Sequence, residues 1–90
     1  MRSDYEALRA ETEERLIEFL HAELEIGPTF VQTALFANDE GHAEHYAQAK
    51  ADAAKAAETV QRFMHRIQNS NVRSEIGNQL AELERLISTL

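Results

Sequence analysis

Ninety residues are one domain's worth of chain, and three glycines, one proline and no tryptophan supply too little turn material for an all-β fold. The absence of cysteine excludes disulfides, thiolate metal sites and a cysteine nucleophile. A net charge of −7, with three arginines against eight carboxylates in residues 1–27, repels phosphate backbones and speaks against nucleic-acid binding.

The first helix is expected at about 4–26. Ser3 and Glu6 have the spacing of a capping box, and Tyr5, Leu8, Thr12, Leu16, Phe19, Leu20 and Leu24 recur at steps of three and four. Glu11 and Arg15 add a favourable i, i+4 pair. Gly27-Pro28 then reads as a stop. Glycine suits the left-handed position that closes a helix, and proline cannot extend the hydrogen-bond ladder. Thr29 and Gln32 form a second capping-box match, opening a short helix at about 29–37. The alternative is one helix over residues 4–37, kinked at Pro28 with the Leu24 carbonyl left free.

Asn38-Asp39-Glu40-Gly41 is a turn cluster. The longest helix follows at about 42–68, with a heptad seam of Tyr46, Ala49, Ala53, Ala56, Val60, Phe63 and Ile67. Its first half is alanine, which permits close approach of a neighbour but buries little area per contact. Arg62, His65, Arg66 and Arg73 gather near its end, where cations complement the helix dipole. Asn69-Ser70-Asn71 can cap a last helix at about 72–89, whose stripe is Val72, Ile76, Leu80, Leu83, Leu86, Ile87 and Leu90. Gly77, inside it, suggests close packing.

The expected fold is therefore all-α: one domain over residues 1–90, an up-down bundle of three main helices plus the short one. Ala34 and Ala37 before the turn, Gly41 in it, and Tyr46, Ala49 and Ala53 after it resemble the helical hairpin of tetratricopeptide repeats or of microtubule-interacting-and-transport domains. The resemblance implies a peptide-binding or scaffolding module. The chain lacks the closing proline of the tetratricopeptide pattern and a second copy of the repeat.

His42 and His45, three apart, could share one helix face with Asp39 nearby, which is the sharpest metal-ligand candidate. Glu18 and His21 have the glutamate–x–x–histidine spacing of di-iron bundles, but that plan needs a second such motif and two further glutamates. No glycine-flanked serine elbow or phosphate-cradling loop occurs, and Ser3, Ser70 and Ser74 read as helix caps.

No catalytic, metal or cofactor residue is assigned. The expectation is a non-catalytic module for protein interaction or oligomerisation. Its uncovered apolar surface is placed at Phe30, Val31, Leu35, Leu83, Leu86, Ile87 and Leu90. A protein partner or self-association is expected, without nucleic acid or membrane. The alternative is a metal- or small-molecule-binding bundle using the His42/His45 region. No run of about 18 apolar residues and no apolar leader is present, so a soluble cytoplasmic protein is expected.

Overall fold

The computed structural model describes the backbone of residues 4–90 and the side chains from Thr12 onward. The Ser3 cap and the side chains of Tyr5, Leu8 and Glu11 lie outside the described residues. The described residues form three helices, α1 Asp4–Asp39, α2 Ala43–Phe63 and α3 Ser70–Ser88, with a 3-10 turn Met64–Arg66 between α2 and α3. The described residues contain no strand, as an all-α bundle requires.

The break at Gly27-Pro28 is absent, and the short helix is the continuation of α1. The reason is visible in the burial pattern. Leu20, Leu24, Gly27, Val31 and Ala34 are all buried, and their steps of four, three, four and three pass through the proline without losing register. An interior proline costs about 3 kcal/mol. Carrying the register past the proline keeps Val31, Ala34 and Ala37 buried, worth about 1.5–3 kcal/mol for Val31 and about 0.8 kcal/mol for each alanine methyl, which together offset that cost. Packing wins. Thr29 is accordingly not a cap: its carbonyl accepts from the Thr33 hydroxyl at 3.0 Å, one turn on.

Gly27 serves packing rather than a turn. A Cβ built on it would lie 2.6 Å from Leu83 Cδ2, so a bare backbone is what lets α3 approach α1. Helix closure falls instead to Gly41, whose φ of 75° is left-handed. Its amide donates to the Asn38 carbonyl at 3.1 Å, and the His42 amide reaches back to Ala37 at 2.8 Å. This pair of bonds is a Schellman closure, and it reverses the chain into α2.

α2 lays its expected seam on α1: Ala49, Ala53, Ala56 and Val60 are buried, joined by Ala57. Helical hydrogen bonding ends at Phe63, and the chain tightens through the 3-10 turn to Ile67, which is fully buried. Asn69, not Ser70 or Ser74, caps α3, its Oδ1 accepting from the amides of Asn71 and Val72. α3 returns alongside with Ile76, Leu80 and Leu83 in the core. Cross-links hold both of its ends. The Gln68 amide donates to the Glu13 carboxylate, and the Tyr46 hydroxyl donates to the Leu90 carbonyl.

The result is long and thin, 61 × 19 × 15 Å. Its radius of gyration of 16.1 Å exceeds the roughly 12 Å expected for a compact chain of this length.

Candidate interaction surface

α1 carries two apolar seams. The inner one, described above, meets α2 and α3. The outer one is Phe19, Ala22, Ile26, Thr29, Thr33 and Phe36, at steps of three, four, three, four and three, and all six residues are exposed. At about 100° per residue the two seams lie roughly 150° apart around the helix. Phe19, Ile26 and Phe36 retain 47%, 46% and 67% of their surface. Of the two apolar sides of α1, the domain's own helices cover only the inner one.

The outer seam is also uncharged. Residues 26–38 contain no Asp, Glu, Lys or Arg, in a chain whose net charge is −7. Its two threonines are only weakly polar. The Thr33 hydroxyl already donates to the Thr29 carbonyl, so covering Thr33 would strand no donor at that position.

The residues expected to form an uncovered surface divide three ways. Val31 and Leu83 are in the core, which corrects the expectation that they are uncovered. Phe30, Leu86, Ile87 and Leu90 are half-buried against that core. Leu35 is exposed at 44% but lies on the α3 side of α1, away from the outer seam. Phe19, assigned from the sequence to the inner face beside Leu20, instead points outward. Phe19, Ile26 and Phe36 were missed as a group, although their heptad spacing was the available signal.

His42 and His45 do come together, with ring centroids 5.8 Å apart in an edge-to-face arrangement. Both are exposed, and among the described residues no three His, Cys, Asp or Glu side chains converge as a metal would need. An open groove of about 490 Å³ between α1 and α3 is lined by His21, Leu24, Glu25, Pro28, Glu75, Gln79 and Glu82. Glu82 is engaged by its neighbour: Arg85 donates to both carboxylate oxygens, at 3.0 and 2.5 Å. That hydrogen bonding holds the Glu82 carboxyl below the usual carboxylate range.

The three arginines of the basic cluster near the end of α2 are occupied structurally. Arg62 pairs with Glu58 at 3.2 Å, the Arg66 guanidinium stacks 4.8 Å from the Phe63 ring centroid, and Arg73 donates to the Ile67 carbonyl at 2.7 Å. Among the described residues no helix is long and apolar enough to cross a membrane. No protein-family model, no curated protein and no solved structure matches the chain.

Proposed function

We propose that this chain is a non-catalytic protein-interaction module that docks through the outer seam of α1. The observation that carries the reading is the seam itself: six consecutive heptad positions, all exposed and none charged. Isolated surface apolar residues need no explanation, but a contiguous apolar stripe on a small domain marks a docking face. Helix-in-groove and helix-on-helix recognition both use anchors at this spacing.

A photoactivatable benzophenone side chain placed at Phe36 tests the reading in the cells that make the protein. A protein adduct is expected from position 36 and from position 19. The exposed residue Glu84, on α3, is the control and should give none. Absence of a protein adduct from both seam positions would remove the reading.

A further inference from the structure

The seam has a property that a general docking face does not need: it matches itself when reversed. We propose that its occupant is a second copy of this chain, with the two α1 helices packed antiparallel about a two-fold axis at the Gly27–Pro28 bond. This rests on the reading of the outer seam as a docking face.

Antiparallel pairing about that point sets Phe19 level with Phe36 of the second copy, Ala22 with Thr33, and Ile26 with Thr29. Every heptad position finds another seam position, and each pairing occurs twice, as an isologous interface requires. The aromatic residues close the two ends. The small and branched residues fill the centre, where the helices approach most closely. The seam runs about 25 Å, at 1.5 Å per residue over the span from Phe19 to Phe36.

Charge decides the orientation. Glu13, Glu14, Glu18, Glu23 and Glu25 all lie in the N-terminal half of the described part of α1, whereas residues 26–38 are uncharged. The antiparallel arrangement places the acidic half of each copy beside the neutral half of the other. A parallel pair would instead set each glutamate beside its own counterpart, which like-charge repulsion disfavours. The interface is short and sits at the small end of specific contacts, so association in the micromolar range is expected.

The natural chain has no cysteine, so engineered pairs can be read without background. Ala22→Cys and Thr33→Cys chains, both altered at exposed sites, are mixed under mild oxidation and compared with each variant alone. The expected result is a cross-linked species of twice the 10.2 kDa chain mass, formed by the mixture and by neither variant alone. Circular dichroism confirms that each variant keeps its helix. Self-cross-linking of Ala22→Cys without the mixed product would mean parallel pairing and overturn the proposal. No cross-link, with a monomeric mass by light scattering, would overturn it too. If benzophenone adducts at Phe36 then still form, to a different protein, the docking reading survives and only the second copy is wrong.

Discussion

At the scale of single residues, the three glycines answer to three different demands, and alanine substitutions separate them. A Cβ at Gly27 would meet Leu83 Cδ2 at 2.6 Å and Cδ1 at 3.0 Å, and Leu83 is itself locked in the core. Gly27→Ala gains about 1 kcal/mol of helix propensity. Overpacking takes away about 1–3 kcal/mol, so the net change should be destabilising. Gly77 has only the flexible Met64 methyl within reach, 3.2 Å from its Cβ position. Gly77→Ala should therefore keep most of the propensity gain and stabilise the fold by about 0.5–1 kcal/mol. Gly41→Ala meets open space, but its φ of 75° strains any side chain. It should cost about 1 kcal/mol. Urea unfolding of the three variants reads all three signs.

At the scale of elements, the test concerns the continuity of α1. In an unbroken helix the amides of Phe30, Val31 and Gln32 donate to the carbonyls of Ile26, Gly27 and Pro28. At the start of a new helix the same amides would be orphans. Native-state hydrogen exchange should find them protected, and fast exchange at all three would restore the break. α2 allows a second test. Ala53 and Ala56 are buried against neighbouring helices, so Ala53→Leu or Ala56→Leu should destabilise by about 1–3 kcal/mol through overpacking. A stabilised variant would mean that the close helix contact lies elsewhere.

These elements also show which features of the fold were legible from residues alone. The seams of α2 and α3 were, because one apolar face per helix leaves the 3-4 spacing unambiguous. α1 misled in two ways. Gly27-Pro28 is a strong local signal, yet the Leu20–Leu24–Gly27–Val31–Ala34 register crossing it is a longer-range one, and burial decided between them. With apolar residues on both sides of α1, periodicity could not assign Phe19, which sits next to Leu20 but faces away from it. Asn69 was legible as a cap because its side chain acts on amides two and three residues ahead.

At the scale of the whole molecule, the shape and the surface point the same way. A 61 Å rod only 19 × 15 Å across has too little thickness for its longest helix to be covered on every side. α2 and α3 cover the inner seam of α1. The outer seam, neutral within an acidic chain, stays uncovered in the single chain, and the proposed occupant, a reversed copy of α1, fits it in pattern and charge. None of this touches the core, because the six seam residues are exposed in the single chain. A charge placed among them should therefore abolish association while leaving helicity and unfolding midpoint nearly unchanged.

Sedimentation equilibrium of the unmodified chain across micromolar concentrations, beside Ile26→Glu, tests this most directly. The account predicts a monomer–dimer equilibrium for the former and a folded monomer for the latter. A wild-type chain that stays monomeric throughout, or an Ile26→Glu variant that dimerises as well as the wild type, would contradict it.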